Sequence, residues 1–248
     1  MLRHFIPRND DRVFAFTLAE VLITLVIIGV IAALTIPNLL QKYQEQATVK
    51  KVQKFYSNLS NAYNLAMKDN GTTDEWGLTG SNQDSHTKIY EKLFKPYFKI
   101  SKDCGFSSQG NCFSAATYLD NTSAGNPNTN SNYYKIVLDD GSAVTWYAYV
   151  STAEKSVVVI YDSNGKKGPN QWGKDYFSMY IRNDRHSPIP YGLPSNAGKL
   201  TAYNFDTYCK KDAPSLPGWG CAAWVIYKGN MDYLHCNDLS WNGKDKCK

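Results

Sequence analysis

The sequence predicts an α+β protein in which a long, kinked N-terminal helix packs on an antiparallel β-sheet. An apolar run followed by an amphipathic helical pattern fills the first seventy residues. Runs of β-branched and aromatic residues bounded by turn residues follow after residue 130. Six cysteines, all beyond residue 100, add disulfide-bonded loops. The prediction is therefore one helix over residues 16–67 and a globular head over residues 68–248.

The apolar run is long enough to cross a membrane and contains a single charge. From Phe16 to Gln41 the only ionisable side chain is that of Glu20. Residues 16–36 provide 21 helical positions, which rise about 31 Å, close to the thickness of a hydrocarbon core. A carboxylate inside such a helix costs about 2.5 to 3.5 kcal/mol near the middle of a bilayer. Glu20 therefore requires a cationic partner or a position near the interface.

Beyond the apolar run, the helical pattern continues with one apolar face. Apolar residues recur at steps of three and four, with lysine and asparagine between them: Val52, Phe55, Leu59, Tyr63 and Ala66. Pro37 removes a backbone donor and crowds the preceding turn, so it is expected to kink or locally melt the helix. Gly29 is a second soft point.

Three interpretations of the apolar segment compete: a cleaved secretory signal, a plain membrane anchor and a prepilin segment. A secretory signal has a shorter apolar region, of about 7 to 15 residues. A plain anchor has no need of Glu20. The stretch AFTLAE at residues 15–20, followed by the apolar run with Gly29 and Pro37, resembles the class III signal of type IV prepilins and type II secretion pseudopilins.

The resemblance implies a maturation step and an assembly role for particular residues. A prepilin peptidase would remove residues 1–15 as a leader by cutting between Ala15 and Phe16, and would methylate the new α-amine of Phe16. Glu20 would pair with that amine on a neighbouring subunit during docking, which supplies the missing cation. Gly29 and Pro37 would lie where helices pack or unwind in a filament core. The family usually has Gly before the cut, where this chain has the small residue Ala15.

The function that the resemblance implies is that of a structural subunit, a pilin or pseudopilin, in a type IV pilus-like or type II secretion filament. Its partners would be the prepilin peptidase, other copies of itself and related pilins, the inner membrane and the assembly machinery. The alternative is a minor tip pilin whose head binds a surface, DNA or a secreted substrate. A membrane-anchored domain that never polymerises is a third interpretation.

The cysteines indicate the compartment of the head. They lack the CxxC pairs of thiolate zinc sites, and they form three neighbouring couples: Cys104 with Cys112, Cys209 with Cys221, and Cys236 with Cys247. Disulfides are expected, although six cysteines allow fifteen connectivities. Because disulfides form in oxidising compartments, the head is expected on the periplasmic or extracellular side of the inner membrane, and later in a periplasmic or cell-surface filament.

The head contains strand and turn signals. Residues 133–138 and 143–150 flank the turn Asp139-Asp140-Gly141-Ser142 and predict a hairpin. Further strands are predicted at residues 157–161, 176–181 and 223–227, a short helix at residues 88–98, and an exposed polar loop at residues 121–132. The sheet is expected to pack on the second half of the long helix, which is the pilin architecture.

The loop after the third of these strands carries oxygen ligands. Asp162, Asn164, Asn170 and Asp175 could contribute to a calcium site, because calcium takes six to eight oxygens and glycines let the backbone curl around the ion. The loop also resembles the calcium-binding loop of some pseudopilins, although it lacks the EF-hand spacing and carries three lysines. The alternative is a rigid turn in which the same side chains cap backbone groups.

Composition and motifs argue against two other classes of protein. The net charge of +5 is mild for a nucleic-acid-binding domain, so nucleic acid is not expected as a partner. The four histidines stand in no hydrolase signature and the chain has no phosphate-binding loop. An enzyme is therefore not expected.

Overall fold

The computed structural model describes residues 17–152, 154–194 and 203–247. The chain divides into two units, Met1–Tyr43 and Gln44–Lys248, and the boundary between them lies inside the first helix. Within its described residues the first unit contributes the start of this helix and the residue before it, whereas the second contains the sheet and the disulfides. The secondary structure is α+β, as predicted.

Helix α1, Leu18–Asn70, has 53 residues and ends three residues beyond the predicted end. Gly71 follows it with φ of +74°, the left-handed conformation that commonly terminates helices. Pro37 lies inside α1, and the described helix continues through it without a break. Thr35 Oγ1 donates to the Ile31 carbonyl at 2.8 Å in the turn before the proline. Local melting at Pro37 is therefore wrong for this structure, and the kink stays a prediction.

The strands follow in chain order and mostly match the predicted ones. They are β1 Ile100–Gly105, β2 Ala116–Thr117, β3 Ser123–Gly125, β4 Tyr134–Leu138, β5 Ala143–Val150, β6 Lys155–Asp162, β7 Tyr176–Arg182 and β8 Ile189–Pro190. Among the described residues, six of them form an antiparallel sheet in the order β1-β4-β5-β6-β7-β8, and β2 pairs with β3. The predicted hairpin is confirmed as β4–β5, with Val137 opposite Ala143 across the turn.

One face of the sheet packs on the second half of α1. The buried residues of that half recur at helical spacing: Val49, Val52, Phe55, Leu59, Ala62, Tyr63 and Ala66. Phe55 stacks on Tyr161 of β6 with ring centroids 4.1 Å apart. Tyr63 Oη donates to the Arg182 carbonyl of β7 at 2.8 Å. The amphipathic pattern read from the sequence is therefore the face that joins α1 to the sheet.

The opposite face of the sheet is also covered. Thr145 of β5 and Ser178 of β7 point to this side and are fully buried. Phe113 and Trp172, from the chain segments before β2 and before β7, join Ile160 in a second, smaller apolar cluster. The sheet is thus a middle layer, which explains why its central strands are apolar at nearly every position.

The predicted strand at residues 223–227 is wrong, because these residues form helix α4, Ala222–Tyr227. A short apolar run without flanking periodicity does not separate a buried strand from a buried helix. Here every residue from Ala222 to Ile226 is buried, so no polar position marks the helical period. Helix α3, Phe205–Tyr208, precedes it as a single turn.

Two other elements differ from the predictions in their bounds. Helix α2, Gln83–Ile89, begins five residues before the predicted start and continues as a π-helical turn, Tyr90–Phe94. Asn82 caps α2 by accepting the Ser85 N–H at 2.9 Å. Residues 121–132 are not a fully exposed loop, since they include β3 and the buried Asn128.

Candidate functional site

The first candidate site is the start of α1, where Glu20 and Thr17 form a reciprocal cap. Glu20 Oε2 accepts the Thr17 backbone N–H at 2.9 Å and the Thr17 hydroxyl at 2.8 Å. The Glu20 N–H is donated to Thr17 Oγ1 at 3.2 Å. This pattern satisfies donors that a helix start leaves unpaired. Ala15 and Phe16, the predicted cleavage and methylation residues, lie outside the described residues.

The helix that follows Glu20 presents apolar side chains to its surroundings on all sides. Its large exposed hydrophobic residues include Leu22, Leu25, Ile28, Ile31, Leu34 and Leu39. A Cβ atom added at Gly29 would meet no atom within 4 Å, so the backbone is open to close approach there. α1 contains a segment that is long and apolar enough to cross a membrane.

The six cysteines form three disulfides, each within one of the neighbouring couples. The bonds Cys104–Cys112, Cys209–Cys221 and Cys236–Cys247 span 8, 12 and 11 residues, respectively. Their Cα–Cα distances of 6.4, 4.8 and 5.9 Å lie in the normal range for disulfides. The Cys209–Cys221 bond lies in the main core, whereas Cys236 is only partly buried.

The second candidate site, the loop after β6, is a hydrogen-bonded turn that brings the four predicted ligand residues together. Asp175 Oδ2 accepts the Asn170 N–H at 2.7 Å and the Asn164 side-chain amide at 3.1 Å. The other oxygen, Oδ1, accepts the Gln171 N–H. Asp162 Oδ1 accepts the Asn164 N–H at 3.2 Å. The carboxylate of Asp175 therefore holds Asn164, near the start of the loop, and the backbone of Asn170 and Gln171, near its end.

Backbone carbonyls and glycine complete the turn. The side-chain amide nitrogen of Asn170 points to the carbonyls of Gly165 and Lys167 and donates to them at 3.1 and 3.3 Å. Gly165 has φ of +63°, and a Cβ added there would stand 2.4 Å from the Gly141 carbonyl of the β4–β5 turn. Only glycine fits this position, so the loop is held against the neighbouring hairpin.

Burial raises the pKa of both carboxyl groups in the loop. Asp162 and Asp175 are 0% and 2% exposed. Burial is the larger cause at both residues, and the charge of Asp175 adds to it at Asp162; hydrogen bonds from loop amides oppose the rise in pKa. Asp162 Oδ2 and Asn164 Oδ1 are buried without a hydrogen-bond partner. The ionised pair is therefore unfavourable unless a proton or a cation accompanies it.

The arrangement in this structure does not fit a calcium ion. Both oxygens of Asp175 already accept hydrogen bonds. The side-chain amide of Asn170 donates to two backbone carbonyls of the loop, so these oxygens are engaged as well. The two unpaired oxygens fall well short of the six to eight that calcium takes. Across the described residues, no group of three or more His, Cys, Asp or Glu side chains is placed to hold a metal. The geometry favours the rigid turn, and calcium binding stays a hypothesis.

Two buried polar residues lie outside the sequence-based predictions. Lys135 of β4 is fully buried, its Nζ donates to the carbonyls of Asn130 and Tyr133 at 2.7 and 2.9 Å, and burial lowers its pKa to about 8. His86 of α2 contacts the Asn132 carbonyl through Nδ1, while Nε2 has no partner, and burial lowers its pKa. Both hold the polar segment before β4 against the sheet.

A comparison with protein families covers most of the head. Residues 38–192, well over half of the chain, match the model of a family of unknown function, DUF6613. The chain belongs to the DUF6613 family. The DUF6613 match contains the second half of α1 and the sheet through β8, and the stretch AFTLAE lies before it. No curated protein and no solved structure matches the chain. DUF6613 membership thus places the chain in a family without assigning an activity.

Proposed function

We propose that this DUF6613 protein is a pilin or pseudopilin, a structural subunit of a type IV pilus-like or type II secretion filament. The subunit is made with a leader, is cut before Phe16 by a prepilin peptidase, and waits in the inner membrane with its head outside the cytoplasm. It then polymerises through the first half of α1. The head is a pilin head, in which α1 continues from the assembly segment into the core.

One observation carries the proposal: a single carboxylate stands at the start of a helix that is otherwise apolar and exposed. Glu20 accepts two hydrogen bonds from Thr17, but among the described residues it has no cationic partner. Hydrogen bonding from a hydroxyl and an amide lowers the cost of the charge without neutralising it. A neighbouring subunit that brings its α-amine to this point supplies the missing charge. A simple anchor gains nothing from Glu20.

The remaining architecture agrees with the proposal. The apolar half of α1 is long enough to cross a membrane, and the amphipathic half is the central element of the head core. Three disulfides are consistent with a head that folds in an oxidising compartment. A subunit built in this way keeps its folded head while α1 exchanges lipid neighbours for the helices of other subunits.

The first test is the mass of the mature N-terminus. The protein is purified from its native membrane and digested, and the N-terminal peptide is identified by mass spectrometry. The expected peptide begins at a methylated Phe16. A chain that retains Met1 in cells with an active prepilin peptidase overturns the proposal.

The second test separates assembly from insertion. Glu20→Gln keeps the size of the side chain but removes its charge, and Glu20→Asp serves as the charge-retaining control. Glu20→Gln is expected to insert into the membrane and be cut normally, yet to be lost from sheared filaments, whereas Glu20→Asp is incorporated in part. Filaments that contain wild-type amounts of Glu20→Gln contradict the assembly role of this carboxylate.

A further inference from the structure

We propose that the end of the head at which α1 enters it binds anionic phospholipid headgroups of the membrane through four lysines. These lysines are called here the basic collar: Lys50, Lys51, Lys166 and Lys167. All four belong to the unit Gln44–Lys248. The inference rests on the membrane-anchored state of the proposed function, but not on polymerisation. Such a contact holds the head on the bilayer until the subunit leaves it.

The packing of α1 on the sheet shows which end of the head carries the collar. Val49 is the first buried residue of α1, and Phe55 stacks on Tyr161 near the end of β6. Tyr63, about two turns further along α1, bonds to Arg182 at the end of β7. The loop from β6 to β7 therefore lies at the end of the head where the chain arrives from the apolar segment.

Lys51 joins the two parts of the collar. Its Nζ donates to the Ser163 carbonyl at 2.9 Å, which holds the start of the β6–β7 loop against α1. Lys50 is its neighbour on α1 and is exposed, and Lys166 and Lys167 are exposed in the loop itself. An ammonium group has three donors, so Lys51 keeps two donors and its charge for a ligand.

The charges of the collar are not neutralised by carboxylates of the described head. The ion pairs among the described residues all use other cations. Asp162 and Asp175 are buried inside the β6–β7 loop and accept hydrogen bonds from loop amides. Glu45, the acidic residue of α1 closest in sequence to Lys50, is bonded to Nε2 of His235 at 2.9 Å. The collar therefore carries an excess of positive charge.

The neighbouring β4–β5 turn does not remove this excess. Asp139 and Asp140 are exposed in that turn. They line a cavity beside α1 together with Lys54 and Lys99, so this part of the surface contains as many positive as negative side chains. The four collar lysines are additional to that balanced set.

The length of the helix brings the collar within electrostatic reach of a bilayer. About 15 Å of helix separates Lys50 from Leu40, near the end of the exposed apolar run. The headgroup layer covers about 5 to 7 Å of this distance. The remainder is close to the Debye length of about 8 Å at physiological ionic strength. Long lysine side chains shorten the gap further.

Charge complementarity identifies anionic lipid as the ligand. Clusters of about four to eight basic residues beside a membrane-spanning helix bind anionic headgroups, and each basic residue near the surface contributes a roughly fivefold gain in affinity. A lysine is a compact point charge that suits the phosphate of a lipid headgroup. The anchor also keeps this partner permanently next to the collar, so a weak contact suffices.

The experiment measures the acetylation rate of individual lysines in lipid nanodiscs by mass spectrometry. The full chain is inserted into discs of phosphatidylcholine alone, or of equal parts of phosphatidylcholine and phosphatidylglycerol. Lys50, Lys166 and Lys167 are expected to react about fivefold or more slowly in the anionic discs, and high salt is expected to remove this protection. Lys68, exposed in the last turn of α1 at the far end of the head, is expected to react equally in both discs.

A loop variant separates a direct contact from a general effect of the anionic surface on lysine reactivity. Lys166→Gln with Lys167→Gln removes two charges from exposed side chains that make no hydrogen bond or ion pair in the described head. The double variant is expected to abolish the protection of Lys50 in the anionic discs. Lys68→Gln is the matched control and is expected to leave that protection unchanged.

A soluble headgroup tests whether the bilayer itself is the ligand. Glycerol phosphate added to phosphatidylcholine discs is expected to give no protection, because it lacks the dense surface charge of a membrane. Protection of the collar by glycerol phosphate overturns the inference. So does equal acetylation of the collar lysines in the two kinds of disc, or unchanged protection of Lys50 in the double variant.

The outcome is also separable from the proposed function. If the mature chain begins at Phe16 and enters filaments but its collar lysines react equally in both discs, the lipid contact is wrong and the pilin assignment stands. If the collar is protected while the chain in cells retains Met1, the lipid contact stands and the pilin assignment fails. A chain that is recovered with neither kind of disc contradicts the membrane anchor on which both proposals rest.

Discussion

Replacing Leu59 by alanine is expected to destabilise the head by about 3 to 4 kcal/mol, because this side chain is fully buried where α1 meets the sheet. The loss combines the transfer free energy of the removed atoms with the cavity that close-packed neighbours leave open. Leu65→Ala is the matched control, since it changes the same residue type on the same helix at a position that is 47% exposed. Its expected cost is below about 1 kcal/mol.

The difference between the unfolding free energies of the two variants measures how well the Leu59 side chain packs between α1 and the sheet. Helix propensity changes equally in both, because each replaces leucine by alanine inside α1. Urea denaturation of the full chain in detergent, followed by tryptophan fluorescence, measures the head alone, since all six tryptophans lie beyond α1. If the free energies of unfolding of the two variants agree within about 1 kcal/mol, the packing of α1 on the sheet is not as described.

Three further outcomes test other parts of the head. Burial lowers the pKa of His86, so the folded state favours the neutral form of the side chain. The contribution of His86 to stability is complete above the unfolded pKa of about 6.5 and falls as the pH drops below that value. His86→Gln is expected to reduce this fall in the free energy of unfolding, measured by urea titrations between about pH 7 and 5. Replacing the Cys209–Cys221 pair by alanines is expected to cost more stability than replacing Cys236–Cys247. The loops of 12 and 11 residues carry nearly equal entropic contributions of roughly 3 kcal/mol, but only the first bond fills the core. Millimolar calcium is expected to leave the midpoint of thermal unfolding unchanged, and a saturable rise would contradict the rigid turn after β6.

Sequence patterns predicted the parts of the fold that local chemistry determines. The β4–β5 hairpin follows from an Asp-Gly turn between β-branched runs, and the buried face of α1 follows from its helical period. Helix α4 was predicted as a strand because five consecutive buried residues show no period. Asn82 is a recognisable helix-capping residue, but it lies several residues before the apolar positions on which the predicted helix at residues 88–98 was based. The predicted start of α2 was therefore too late.

The candidate sites were predictable to different degrees. The position of Glu20 in the apolar run is a property of the sequence, but its cap with Thr17 depends on where the helix starts. The loop residues from Asp162 to Asp175 could be named, whereas the use of Asp175 as a clamp on two backbone amides depends on the fold of the turn. Lys135 is buried because the polar segment directly before β4 turns back and offers it the carbonyls of Asn130 and Tyr133, a path of the chain that the strand pattern does not reveal.

The disulfides have a consequence for how the head is made. Each bond joins cysteines at most 12 residues apart, so each ring is local in the chain. The ends of a loop of this size meet often in an unfolded chain, and their meeting needs little of the remaining fold. In the proposed topology, in which the chain emerges outside the cytoplasm from its N-terminal side, both cysteines of one couple arrive before those of the next. The order of emergence would then favour the observed connectivity over the other fourteen that six cysteines allow.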